Sequence, residues 1–314
     1  MPRIVYLVPN PGVATGGNKV AFRHVEALAG LGYDAVARIP PGKRPPSWFA
    51  HAAPVEQTSA APRPDDILVF PDDAVAELAA VAHLPNPKVV FVQNPYGAAQ
   101  GLPQLSPEQR AAYRVFMACS AGVAAWTARY FDHDLVATVP AFADERLFRP
   151  GPKTRTIACI PRKRPRELLS IRHMFERVRP DCGWRWNVVD GRTEAGSAAG
   201  LATAAVYLSL ARLEGMSMTI VEAMASGCLV AGFTGIGPRE YADAANGIWV
   251  EEDDCEAAAH ALARAVELAE ADGPDAAAMQ AASLGTAARW THAACVTALE
   301  AFWRDHPSAS RSGS

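Results

Sequence analysis

Short runs dense in Val, Ile and Ala punctuate this chain, and between them apolar residues return every three or four positions. A run that is apolar at every position, rather than at alternate ones, fits a strand covered on both faces, as in a parallel sheet between helices. The pattern therefore predicts an α/β protein built from βα units. Strands are expected at 4–8, 35–39, 67–70, 89–93, 116–120 and 135–139, and then at 156–160, 185–189, 205–210, 229–233 and 247–250. This reads as two doubly wound, Rossmann-like domains, residues 1–150 and 151–307, with a frayed tail at 308–314. Phe148-Arg-Pro-Gly-Pro resists regular structure, so residues 144–153 are expected to form the hinge. Ligands of doubly wound sheets bind at the carboxyl ends of the strands, and the two domains are expected to face each other across a cleft. Residues 40–64 carry seven prolines and are expected to form one irregular loop. From Cys255 onward the chain is alanine-rich and helical in pattern.

Glu214 and Glu222 bracket E-G-M-S-M-T-I-V-E, which joins the apolar run 205–210 to a helical stretch, 218–225, closed by Gly227. Glu214 is thus expected at a strand exit and Glu222 in the first or second helical turn. Between them, Gly215, Met216, Ser217 and Met218 offer backbone N–H groups at a helix start, where unpaired donors and the helix dipole favour a phosphate. A capping box from Thr219 to Glu222 would account for Glu222 as a helix-start residue. It accounts for neither Glu214 nor Gly215.

Length and composition suit two cores: 314 residues, half of them hydrophobic. A net charge of −3 gives no overall basic field for nucleic acid. Residues 153–185 nevertheless hold ten Lys or Arg against three acids. This local excess suits an anionic ligand or surface, and a solvated helix face explains most of it equally well. The six cysteines are scattered, with neither a C-x-x-C pair nor a short spacing to histidine, so no disulfide framework or zinc site is indicated. The N-terminal apolar run is too short for a signal peptide, and no segment is long enough to span a bilayer. A cytoplasmic protein is expected, with peripheral contact at the inner face of a membrane left open; nothing indicates its oligomeric state.

Gly12, Gly16 and Gly17 follow the first strand and precede a helix, and such glycines let backbone approach a ligand closely. Lys19 falls in the first turn of that helix, where a nearby anion would offset the dipole, although an exposed lysine costs little there. Neither the dinucleotide fingerprint nor the Walker phosphate loop is present. In the second half Ile160 leads into P-R-K-R-P, which puts Arg162 and Lys163 at a strand end, with arginine suited to forked phosphate contacts. Asp190 and the glycines of Gly235-Ile-Gly-Pro-Arg-Glu end two further strands, although an aspartate before glycine is as readily a turn residue. Asp132-His133-Asp134 has the D-x-D metal pattern but precedes a strand instead of following one. His24 reads more readily as a structural residue than as a ligand on its apolar helix.

These residues resemble the GT-B glycosyltransferases of the large retaining family typified by sucrose synthases, bacterial mannosyltransferases and lipopolysaccharide glucosyltransferases, known as glycosyl transferases group 1 or family 4. The block from Tyr207 to Glu240, with E-G-M-S-M-T-I-V-E-A-M-A-S-G and then G-I-G-P-R-E, is similar to that family's Glu-x7-Glu signature and its glycine loop. Weaker similarities lie in the Gly16-Gly17 loop, in residues 139–150 and in I-P-R-K. The resemblance implies a GT-B fold and transfer of a sugar from a nucleoside diphosphate sugar to an acceptor hydroxyl of a glycan, lipid or small molecule. It further implies that the anomeric configuration is retained and that neither metal nor other cofactor is needed. It implies that Glu222 binds the ribose and Glu214 the transferred sugar. On the same reading residues 215–218, Lys163 and Arg162 are expected to hold the diphosphate, with Asp190, Gly235 and Gly237 lining the nucleotide, and Gly16 and Gly17 to approach the donor phosphates or the acceptor. Two departures stand out. The linker from Asp190 to Ala205 is short, and Gln93-Asn94 stands where many members have a histidine, so no base carries over. A non-catalytic sugar-nucleotide-binding GT-B protein acting in a complex, and a sugar-nucleotide epimerase, are the rival readings.

Overall fold

Every apolar run expected as a strand forms one in the computed structural model, which describes residues 2–189 and 193–305. The chain divides into two compact units, Met1–Ala141 with Ala293–Ser314, and Phe142–His292. In unit 1 the order is β1 (Ile4–Leu7), α1 (Gly16–Gly30), β2 (Ala35–Ile39), β3 (Val55–Gln57), β4 (Ile67–Pro71), α2 (Val75–Val81), β5 (Lys88–Val92), α3 (Pro95–Gly101), α4 (Pro107–Arg110), β6 (Val115–Ala118), α5 (Ala121–Tyr130) and β7 (Leu135–Thr138). The strands form one seven-stranded parallel sheet ordered β3-β2-β1-β4-β5-β6-β7. Strand order reverses between β1 and β4, and this is where a doubly wound sheet opens a crevice at its carboxyl edge.

Unit 2 runs β8 (Thr154–Cys159), α6 (Pro165–Val178), β9 (Arg185–Val188), α7 (Glu194–Thr203), β10 (Ala204–Leu210), α8 (Met218–Ala225), β11 (Leu229–Phe233), β12 (Ile248–Val250), α9 (Cys255–Ala271) and α10 (Pro274–Ala287). Its five parallel strands are ordered β12-β11-β10-β8-β9, so the reversal lies between β8 and β10. Ile157, Val206, Leu208, Ala231 and Phe233 of the sheet are buried in one core with Ile171 and Phe175 of α6 and Leu262 and Val266 of α9. The short linker before β10 holds a single helix, α7. Asp190 and the tail at 308–314 lie outside the described residues.

Three expectations need correction. Residues 40–64 are not one loop: Val55–Gln57 pairs with β2 as an edge strand, and the irregular stretch before it crosses the sheet in place of a helix. Phe49 anchors that stretch, buried against Phe22 of α1 with ring centroids 6.1 Å apart. The units meet at 141/142 rather than 150/151, because Phe148 is buried and Gly151 donates its N–H to the Ala202 carbonyl at 3.2 Å, within unit 2. Finally, α11 (His292–Asp305) returns to unit 1 from Ala293 on. Its buried residues Cys295, Leu299, Phe302 and Trp303 recur at helical spacing, which marks an apolar face but not the core it covers. No helix among the described residues is long and apolar enough to cross a membrane.

Candidate functional site

The segment between β10 and α8 lies at the switch point of unit 2. Helix α8 begins at Met218 with Ser217 as its N-cap, and no side chain caps its first turn. Thr219 is therefore inside the helix, and the capping box with Glu222 does not form. The first-turn amides of a helix have no intrahelical acceptor, so this start keeps donors for an anion. At the far end Gly227, with φ +74°, donates to the Met224 carbonyl at 2.9 Å and ends the helix as expected.

The Ser217 hydroxyl is turned to other partners. It lies 3.2 Å from the Thr219 hydroxyl, and the two hydroxyls lower the pKa of the Glu214 carboxyl and of Tyr207 respectively. Tyr241 donates its hydroxyl to the Ser217 carbonyl at 3.1 Å. Burial raises the Glu214 carboxyl above its usual range, opposed by the Ser217 hydrogen bond and by the charges of Lys163 and Arg162. Glu222 is 6% exposed on α8. The charges of both glutamates bear on the buried Tyr207 hydroxyl, helping to hold it protonated after burial itself. The two acids thus serve one locality, and neither stands in bulk solvent.

Across the switch point β8 ends in a 3-10 turn, Pro161–Lys163. Arg162 reaches Glu214 with Nη2 3.8 Å from Oε1, its side chain 54% exposed. The third base of the run behaves differently. Arg164 is fully buried, donates Nε–H to the Ala211 carbonyl at 3.0 Å, pairs with Glu252 and Asp253, and stacks on the Phe233 ring at 4.3 Å. Charge patterning alone does not separate a buried arginine from two solvent-facing neighbours.

The glycine loop after β11 backs this segment. A Cβ on Gly237 would sit 2.1 Å from the Gly215 carbonyl oxygen, and the Gly237 N–H is donated to the Glu214 carbonyl at 3.0 Å. A Cβ on Gly235 would lie 3.2 Å from that of Ala211. Gly235 and Gly237 therefore brace residues 211–215 from behind, and the amide of Gly237 is already committed.

In unit 1 the glycines expected near a ligand start α1. Its N-terminus is capped by Thr15, whose hydroxyl accepts from the Asn18 N–H at 3.2 Å, and Asn18 staples the loop through the Asn10 and Val13 carbonyls. Gln93 lies against Gly17, its amide 3.5 Å from the Gly17 carbonyl. Lys19 is buried, not exposed. His24 is a core residue, its ring nitrogens 3.2 Å from the Tyr6 hydroxyl and 3.4 Å from Cys295 Sγ. Asp134 pairs with Arg114 at 2.9 Å and precedes β7, away from the carboxyl edge.

Sequence reading passed over Asp72, which follows β4 at the switch point of unit 1. It is 4% exposed and accepts the Gln93 and Asn94 N–H groups at 3.4 and 3.2 Å. Burial, then the neighbouring Asp73 charge, push its carboxyl up to about 7 against those hydrogen bonds. An aspartate pair directly after an apolar strand was the available signal. In unit 2 the structure brings Glu214, Arg162, Lys163 and the α8 start together, with Glu222 one turn into the helix.

Two parallel doubly wound sheets of this kind define the GT-B fold of glycosyltransferases. Residues 181–267, which include Glu214, Glu222 and α8, match the family model of Glycosyl transferases group 1. Among solved structures the chain is similar to sucrose-phosphate synthase from Thermosynechococcus elongatus, at 16% identity, 99% of this chain and 100% of that one covered, and a TM-score of 0.72. It is also similar to a glycosyltransferase from Rickettsia africae ESF-5, at 12% identity over 97% and 98% of the chains with a TM-score of 0.70. HepE of Anabaena, solved in complex with UDP-glucose, matches at 12% identity over 96% and 99% with a TM-score of 0.70. At these identities the likeness is one of fold. No curated protein matches at the sequence level. The likeness to these glycosyltransferases thus lies in the fold of the whole chain and in the local family match at residues 181–267.

Proposed function

We propose that this protein transfers a sugar from a nucleoside diphosphate sugar to an acceptor hydroxyl with retention of configuration, without a metal or other cofactor. One observation carries the reading: an uncapped helix start, a basic turn and the half-buried Glu214 carboxylate meet at the switch point of unit 2, one helical turn from Glu222. Glu222 would hold the ribose hydroxyls and Glu214 the hydroxyls of the transferred sugar. The amides of residues 215–218, with Lys163 and Arg162, would hold the diphosphate. As the glycosidic bond breaks, positive charge grows on the sugar ring and negative charge on the departing diphosphate. Fixed amides and cations stabilise that departing charge without reorganising. The leaving phosphate itself takes the acceptor's proton. The acceptor is a hydroxyl of a glycan, a lipid or a small molecule. None of the six cysteines is in a disulfide, which suits a reducing, cytoplasmic setting.

The test begins with UDP, GDP and ADP. A ligand at a hundred times its Kd adds about 2.7 kcal/mol of stability, so the matching diphosphate raises Tm. Donor turnover is then compared for the wild type, Glu222→Ala and Glu214→Ala. The expected result is weakened nucleotide binding in Glu222→Ala and mainly lowered transfer in Glu214→Ala. Wild-type activity in both variants would refute the site, and tight binding without transfer or hydrolysis would identify a non-catalytic binder.

A further inference from the structure

Arg164 is the one cation of the P-R-K-R run withdrawn from solvent, and four strand ends of unit 2 converge on it. It directly follows the basic turn at the end of β8 and donates its own N–H back to the Pro161 carbonyl at 2.9 Å. Its Nε–H holds the Ala211 carbonyl, three residues before Glu214, at 3.0 Å. Its planar face lies on Phe233, the last residue of β11 and the entry to the glycine loop. Both Nη groups engage the turn after β12, through Glu252 and Asp253, and Nη1 is also 3.5 Å from Glu167 of α6. Asp253 adopts a left-handed backbone with φ +66°, a conformation uncommon outside glycine and retained when the surroundings impose it. A fully buried guanidinium with this many fixed partners has one geometry, because its donors form a rigid planar fork.

We infer that Arg164 is a positioning residue for donor-phosphate recognition: it sets the Arg162–Lys163 turn against the Glu214 segment without touching the donor. The inference rests on the sugar-nucleotide reading above. It does not follow from global stability, because its expected signature is confined to one part of the ligand. If the guanidinium holds the turn, loosening it removes what the second phosphate contributes to binding and leaves the nucleoside end, held from α8, intact.

The experiment measures Kd by calorimetry for UDP, GDP and ADP, each against its own monophosphate. It uses the wild type, Arg164→Lys, Arg164→Met and the double variant Glu252→Gln/Asp253→Asn, at a temperature where circular dichroism shows each folded. Lysine keeps the charge but lacks the fork, and the double variant keeps Arg164 but removes its anchors. The expected result is a tenfold or greater loss of diphosphate affinity with less than a twofold change for the monophosphate in every folded variant. An unchanged ratio of diphosphate to monophosphate affinity overturns the positioning role while leaving the functional reading intact. Should Arg164→Met not fold, the lysine and double variants decide. A wild type that binds none of the three diphosphates overturns both.

Discussion

Gly237 tolerates no side chain. The atoms that a Cβ would meet, the carbonyl oxygen and carbon of Gly215 at 2.1 and 2.4 Å, are backbone and have no rotamer to escape into. Gly237→Ala should therefore displace residues 214–215, costing about 1–3 kcal/mol in urea unfolding and lowering diphosphate affinity. Gly12→Ala, where a Cβ meets nothing within 4 Å, should stay within about 0.5 kcal/mol of wild type. Asp72 makes a different demand. Its carboxyl is raised from 3.8 to about 7, so between those values the native state holds a proton that the unfolded chain has released. Stability then falls as pH rises through that window and levels off above it, by at most about 4 kcal/mol. Asp72→Asn should flatten that slope, and denaturation followed from pH 4 to 8 checks it; an unchanged slope would assign the pH dependence to other groups. At this scale the sequence was partly legible. The spacing of Glu214 and Glu222 and the strand-end position of Arg162 and Lys163 follow from local pattern. Whether a given arginine or aspartate is buried depends on elements distant in the chain, so Arg164 and Asp72 could not be told from their neighbours.

Helices α1 and α8 both open at a carboxyl edge, and each has a hydroxyl residue at its N-cap with a different task. Thr15 caps α1 through the Asn18 N–H, so Thr15→Ala should cost about 1 kcal/mol in unfolding and leave nucleotide affinity unchanged. Ser217 makes no cap bond and supports the Glu214 carboxylate instead. That hydrogen bond lowers the Glu214 pKa, so Ser217→Ala should raise it further. If ionised Glu214 grips the donor, affinity falls as pH drops through this pKa, and the fall should start at a higher pH in the variant. Calorimetric titration over a pH series rising from the ordinary carboxylate range measures it, and a superimposable profile would remove Ser217 from the site. Elements with strong periodicity were readable, including α8 to the residue. The edge strand Val55–Gln57 was not, because three residues among prolines carry no usable pattern and the strand exists through its pairing with β2. The destination of α11 was equally hidden, since an amphipathic face fits either core.

At the scale of the whole molecule, each unit places its chemistry at the point where strand order reverses: Gly17 and Asp72 flank β1 and β4, and the basic turn and Glu214 flank β8 and β10. The alternation of apolar runs fixed the class of fold, whereas strand order needed long-range pairing to be seen. On the proposed function the donor diphosphate lies on the start of α8. A crystal structure of the protein with the nucleoside diphosphate that stabilises it tests this most directly. Ribose hydroxyls are expected on the Glu222 carboxylate, and phosphate oxygens on the amides of residues 215–218 and on Arg162 or Lys163. A nucleotide bound with its phosphates away from α8, or with Glu222 touching no part of it, would overturn this placement of the donor.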